Sequence, residues 1–306
     1  MAAPERISGV LSPVVTPFEG NLRPDPDSLV QHCRWLLSQN VGLAVFGTNS
    51  EANSLSVEEK ISLLDHLADA GIEPSRLMPG TGHCALTDTV KLTTHAVNLG
   101  CAGVLMLPPF YYKEVSDEGL FASFAEVIER VGSDELRIYL YHIPPIAHVG
   151  ISPDLVERLA SHYPQTVVGI KDSSGDWNNT NALLQLGLED FRVFAGSEGF
   201  LLQNMRSGGA GCVSATANVN PAAIHQLYAD WQSPSADALQ QELDQIRGIV
   251  AKYPMIPALK AIVADFTRDP RWAIVRPPLV ALTDDQKSAL LKELRQSNFD
   301  MSALID

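Results

Sequence analysis

Short apolar runs alternate with longer amphipathic stretches from about residue 8 to beyond residue 210. The runs Gly9–Val15, Val41–Phe46, Arg76–Gly80, Gly103–Leu107, Arg137–Tyr141, Thr166–Ile170, Arg192–Ala195 and Gly211–Ser214 are partly β-branched and end on Gly, Pro or a polar residue. Each predicts a strand. The 3.6-residue spacing between them predicts helices over Asp27–Gln39, Val57–Ala70, Asp88–Leu99, Ser116–Val131, Pro153–Ser161, Trp177–Leu186 and Gly199–Ser207. Ser56 with Glu59, and Ser116 with Asp117 and Glu118, are start signals, because a hydroxyl caps free amides and acidic groups favour a helix N-terminus. Gly71 and Gly100 are stop signals.

Strands that alternate with helices must run parallel, with a right-handed crossover each time. Eight such units predict an α/β fold closed as a (β/α)8 TIM barrel, with an open doubly wound sheet as the competing arrangement. After residue 220 the strand signal fades, and helices are expected over Pro221–Trp231, Ala236–Lys252, Pro257–Phe266 and Thr283–Gln296. The expected organisation is therefore a barrel catalytic domain over 1–220 and a C-terminal helical extension over 221–306.

Composition narrows the function classes. The chain has 306 residues, 45% of them apolar and 19% charged, which describes an ordinary globular protein. Its 22 basic against 36 acidic residues give a net charge of −14 with no basic cluster, so neither nucleic acid nor an anionic membrane is an expected partner. The opening MAAPERISGV lacks the apolar core of a secretion signal, and no apolar run is long enough to span a bilayer, so a cytoplasmic location is expected. Cys33, Cys84, Cys101 and Cys212 are far apart and expected to be reduced and mostly buried. The 8 histidines form no HxH, HxxxH or HExxH pair, and no GxGxxG or P-loop follows a strand, so no metal and no cofactor are expected.

In a barrel, chemistry belongs to the C-terminal ends of strands. The predicted strand Thr166–Ile170 would carry Lys171 to that rim, where a desolvated amine becomes a nucleophile toward a carbonyl carbon. A lysine paired with Asp172 or Glu198 is the plainer alternative. Tyr141, ending the preceding strand, would stand beside Lys171 as a proton-transferring phenol or as a packing ring. Thr48 and Asn49 lie in a turn opened by Gly47, rich in donors suited to a carboxylate. Together these groups fit a 2-oxo acid bound as a Schiff base. His142 and His148 flank the loop after Tyr141 and can reach the distal part of a substrate or simply pack.

The whole chain resembles the pyruvate-dependent Schiff-base aldolase family that includes dihydrodipicolinate synthase and N-acetylneuraminate lyase. The resemblance is carried by Gly9 to Phe18 (GVLSPVVTPF), Gly47 to Glu51 (GTNSE), Gly80-Thr81-Gly82, Tyr111-Tyr112, Tyr141 with Pro144, Gly169 to Asp172 (GIKD) and Gly208 to Gly211 (GGAG). It implies that Lys171 forms the imine with pyruvate or another 2-oxo acid, that Tyr141 moves protons, and that Thr48 relays them. It also implies that Thr48 and Asn49 bind the carboxylate, and that Tyr112 enters a neighbouring subunit of a homo-oligomer, a tetramer or dimer. The second substrate would be an aldehyde.

The departures from the family pattern bear on specificity. The family's Gly-Thr-Thr-Gly-Glu or Gly-Ser-Thr-Gly-Glu turn reads Gly47-Thr48-Asn49-Ser50-Glu51 here. Authentic dihydrodipicolinate synthases place an arginine where Ile146 stands, and polar groups of their lysine-inhibition site where Val57 and Cys84 stand. An acidic aldehyde loses a charge-assisted contact worth about 1.5–3 kcal/mol at such a position. The segment from Lys171 to Asp176 and the Asn49 turn resemble the 4-hydroxy-2-oxoglutarate aldolase branch, which makes Ser173 a substrate contact. Glu198 resembles the hydroxyl-binding position of the sugar-acid branches. The expected activity is thus aldol cleavage or condensation, with a dihydrodipicolinate synthase, a sugar-acid dehydratase and a non-catalytic 2-oxo-acid-binding barrel as alternatives.

Overall fold

A computed structural model describes residues 6–297 and 299–301. The fold is α/β with parallel strands, and contacts group the described residues into two compact units, one comprising 6–9 and 73–213 and the other 10–72 with 214–297 and 299–301.

The first unit holds five parallel strands in sequential order: β3 (Val104–Met106), β4 (Ile138–His142), β5 (Val167–Asp172), β6 (Arg192–Ala195) and β7 (Gly211–Val213). Helix α3 (Leu86–Leu99) leads into β3, and α4 (Asp117–Val131), α6 (Pro153–His162), α7 (Trp177–Gln185) and α8 (Leu201–Arg206) connect the strands in turn, with a one-turn α5 (Pro144–Ala147) after β4. Strand side chains alternate between faces, and that period of two decides what each residue can do. Ile138, Leu140 and Ile170 join Leu120, Phe124, Leu155 and Leu159 of α4 and α6 in one apolar cluster, each such burial contributing about 1.5–3 kcal/mol. Tyr139 and Tyr141 take the opposite face. The Tyr139 ring fills the space of its neighbours: a Cβ on Gly103 or Gly169 would come within 2.7 or 2.6 Å of it, so only glycine fits at either place.

The expected strand Arg76–Gly80 is a correction. Pro74–Arg76 form a 3-10 turn, and the segment meets the sheet at an isolated bridge between Gly80 and Leu105, where Leu105 donates to the Pro79 carbonyl and accepts from the Thr81 N–H, while Ala102 donates to the Leu77 carbonyl. The physical reason is Pro79, which has no N–H to continue a ladder.

The second unit pairs β1 (Gly9–Ser12) with β2 (Gly42–Leu43) in parallel and carries helices α1 (Pro26–Ser38), α2 (Val57–Asp69), α9 (Pro221–Ala229), α10 (Ala236–Val250), α11 (Met255–Thr267) and α12 (Asp284–Gln296). The cap at Ser56 forms as expected, with its hydroxyl accepting the Glu59 N–H and the Glu59 carboxylate accepting the Ser56 N–H. β2 is shorter than the expected Val41–Phe46, because Phe46 adopts the left-handed region (φ 60°) and turns the chain away. Cys33 and Cys212 are buried, whereas Cys101 is half-buried and Cys84 exposed, which corrects the expectation of mostly buried thiols. No helix among the described residues is long and apolar enough to cross a membrane.

His32 on α1 is fully enclosed, its Nε2 3.4 Å from the Asn218 amide oxygen and its ring stacked on Trp35. Burial pushes its pKa down to about 4, against a partial upward pull from Asn218. The unfolded chain, with an ordinary histidine near 6.5, binds the extra proton first. Stability from this group is therefore complete above about pH 6.5 and is lost as pH falls toward 4, by about 3 kcal/mol. Urea unfolding at pH 7 and pH 4.5 should show His32→Gln losing less stability on acidification than wild type; equal losses would assign the acid sensitivity elsewhere.

Candidate active site

β4 and β5 lie in register through Tyr141 opposite Lys171 and His142 opposite Asp172. Because of strand alternation, the first pair shares one face of the sheet and the second pair the other. Lys171 and Tyr141 are each 2% exposed, and the Lys171 Nζ sits 4.2 Å from the centre of the Tyr141 ring. An amine and a phenol are thus held side by side at the ends of two apolar strands.

The second pair faces the helices. His142 Nδ1 accepts the Ile151 N–H at 2.9 Å, so Nε2 carries the proton of the neutral ring. Desolvation lowers the pKa of His142, opposed by the nearby Asp172 charge. Asp172 accepts from the Thr180 hydroxyl at 2.6 Å and from the Ser174 N–H at 2.9 Å, pinning the chain just beyond Lys171 to helix α7. His142 is therefore occupied on the face away from the Lys171–Tyr141 pair. Ser173 is half-buried, and its N–H donates to the His142 carbonyl at 2.7 Å. The neighbouring Gly196 has no room for a side chain, since a Cβ there would lie 2.1 Å from the Ser173 hydroxyl. Glu198 is buried in the 3-10 turn that follows β6. Ile146 is 60% exposed on α5, and His148, in the left-handed region (φ 52°), caps that helix and is exposed. Tyr112 is 72% exposed in the loop after β3, edge-on to Tyr111 with centroids 5.5 Å apart.

Thr48 and Asn49 belong to the other unit, half-buried in a 3-10 turn spanning Thr48–Ser50. The departure at Ser50 has a structural explanation. Its side chain folds inward, wholly buried, and the hydroxyl accepts the Gly47 N–H at 3.1 Å, closing the turn from within. Phe46 and Glu51, which bracket the turn, are both left-handed (φ 60° and 56°), a conformation that costs on the order of 1–3 kcal/mol for such residues and persists only where surroundings impose it.

Those surroundings include a residue that sequence reasoning missed. Lys260 of α11, wholly buried, donates to the Glu51 carboxylate at 2.7 Å and to the Thr16 carbonyl at 2.8 Å. Burial pulls the Lys260 pKa down to about 8, with Glu51 resisting the fall and Arg276 adding to it. The available signal was one lysine inside the otherwise apolar run Pro257 to Val263, but its partner lies 209 residues away. Among the described residues no group of three His, Cys, Asp or Glu is placed to hold a metal.

The model of the dihydrodipicolinate synthetase family matches residues 6–297. An uncharacterized DapA-like lyase of Chloroflexus aurantiacus is 32% identical over 92% of this chain and 94% of its own length. The crystal structure of dihydrodipicolinate synthase from Agrobacterium tumefaciens superposes with a TM-score of 0.88 at 32% identity, covering 95% of this chain and 99% of that one. YagE, a prophage protein of the dihydrodipicolinic acid synthase family from Escherichia coli K12 solved in complex with pyruvate, gives a TM-score of 0.86 at 26% identity, covering 96% and 99%. The chain belongs to the dihydrodipicolinate synthetase family of pyruvate-dependent class I lyases.

Proposed function

We propose that this protein activates pyruvate or another 2-oxo acid as a Schiff base on Lys171 and then cleaves or forms a carbon–carbon bond to an aldehyde. The observation that carries the reading is the buried amine in register with a buried phenol, Nζ 4.2 Å from its ring. A primary amine held beside a phenol can add to the carbonyl carbon of a bound 2-oxo acid, with the phenol placed to move the protons. Addition to C2 of the acid and loss of water give the imine. In the cleavage direction Tyr141 takes the proton of the 4-hydroxyl, the C3–C4 bond breaks with release of the aldehyde, and its electrons move into the imine to form an enamine. Protonation at C3 and hydrolysis then return pyruvate and the free amine.

By family resemblance, Thr48 and Asn49 hold the acid's carboxylate, Thr48 relays protons, and Tyr112 completes the relay from a neighbouring subunit of a homo-oligomer. Its high exposure in the single chain supports that assignment. Ser173 and Glu198 are proposed as contacts for the distal hydroxyls of a 4-hydroxy-2-oxoglutarate-like or sugar-acid-like substrate. Ile146 supplies no cation for an acidic aldehyde, which disfavours dihydrodipicolinate synthesis itself. We further propose the eight-unit barrel over 1–220, with residues 221–306 as its helical extension, working in the cytoplasm.

Incubation with pyruvate and borohydride, followed by peptide mass spectrometry, tests the reading. A reduced pyruvyl adduct is expected on the peptide containing Lys171. A folded protein without any adduct would remove the imine and leave a barrel that at most binds 2-oxo acids.

A further inference from the structure

The turn from Gly47 to Glu51 carries Thr48 and Asn49, and its strained ends are held from outside. The Thr16 hydroxyl donates to the Ser50 carbonyl at 2.7 Å. Lys260 bridges the Thr16 carbonyl and one Glu51 carboxylate oxygen, while the Arg276 backbone N–H donates to the other at 2.8 Å. The Arg276 guanidinium then reaches the Ser54 carbonyl at 2.6 Å and the Glu59 carboxylate at 2.8 Å, fixing the chain that leaves the turn. The cations of Lys260 and Arg276 also lie 4.4 and 4.8 Å from the centre of the Phe18 ring.

Both oxygens of Glu51 are thereby committed to the C-terminal part of the chain. A buried carboxylate so held cannot rotate, and neither can the left-handed residue that bears it. We propose that Lys260, through Glu51, is a positioning residue that presets the Thr48–Asn49 turn for the carboxylate of the 2-oxo acid. The inference rests on the reading that this turn binds that carboxylate. It gives a helix of the C-terminal region a part in substrate affinity without any contact to the reacting atoms.

A merely structural ion pair would change thermal stability and leave affinity alone, so the test reads affinity. Borohydride trapping is measured over graded pyruvate concentrations for wild type and Lys260→Met. The half-saturating pyruvate concentration is expected to rise by about tenfold or more, as for loss of a good charge-assisted contact, with the adduct plateau unchanged. Should Lys260→Met fail to fold because Glu51 is left buried without a counter-charge, the double variant Lys260→Met/Glu51→Gln removes both charges and is read by the same rule. Unchanged half-saturation in either folded variant would overturn the proposal. So would a lowered plateau at unchanged half-saturation, which would place the effect on the amine. Absence of any adduct on wild type would instead remove the imine reading, and the inference with it.

Discussion

Replacing Lys171 with alanine is expected to lower turnover by at least about 10⁴-fold, because it removes the amine that stands opposite Tyr141 and forms the covalent intermediate in the proposed mechanism. The fold should survive. Lys171 is buried at a strand end, and truncation relieves the cost of desolvating an amine there even as it leaves space behind. The variant should melt cooperatively, take up no pyruvate under borohydride, and show no cleavage of 4-hydroxy-2-oxo acids. Activity within about tenfold of wild type would sink the imine mechanism. Loss of activity together with loss of cooperative melting would point to a structural role for the lysine.

Replacing Tyr141 with phenylalanine tests the second half of the pair. The ring that lies 4.2 Å from the Lys171 nitrogen remains, so packing is nearly conserved and only the phenolic oxygen is lost. If that oxygen moves the proton of the 4-hydroxyl, kcat should fall by about 10²–10⁴. Pyruvate trapping should still reach completion when incubation is prolonged, since the amine is untouched. A near-normal kcat would return Tyr141 to a packing role. A variant that no longer traps pyruvate at any concentration would show that the phenol is needed for imine formation rather than for bond cleavage.

The two residues on which these experiments turn were legible because strand geometry is local. An apolar run ending in lysine and a neighbouring run ending in tyrosine place both groups at strand ends, and the period of two then puts them on one face. The same period explains why His142 was harder to place. Its position beside Tyr141 in sequence suggests the same site, yet adjacent strand residues point oppositely, and its Nδ1 is committed to Ile151. The strand expected at Arg76–Gly80 shows the opposite failure. Its apolar content reads as β, but one proline without an N–H reduces it to a single bridge.

The turn proposed to hold the carboxylate divides in the same way. Its chemistry, with a hydroxyl and an amide after glycine, is plain in the order Gly47-Thr48-Asn49. That Ser50 closes the turn internally is a short-range effect, spanning three residues, but it depends on a rotamer that sequence does not specify. That Lys260 anchors Glu51 across 209 residues is a product of tertiary packing alone.

The amino-acid order by itself determined the α/β alternation, most element boundaries to within a few residues, and the identity of the Lys171–Tyr141 pair, because periodicity, caps and strand ends are written in neighbouring residues. Only the tertiary structure decided which groups became buried and with whom: His32 neutral against Asn218, His142 turned to the helices, and Lys260 locked to Glu51. Burial and long-range pairing depend on how distant segments fill common space, and the cost of leaving a polar group unpartnered there is settled only when those segments meet.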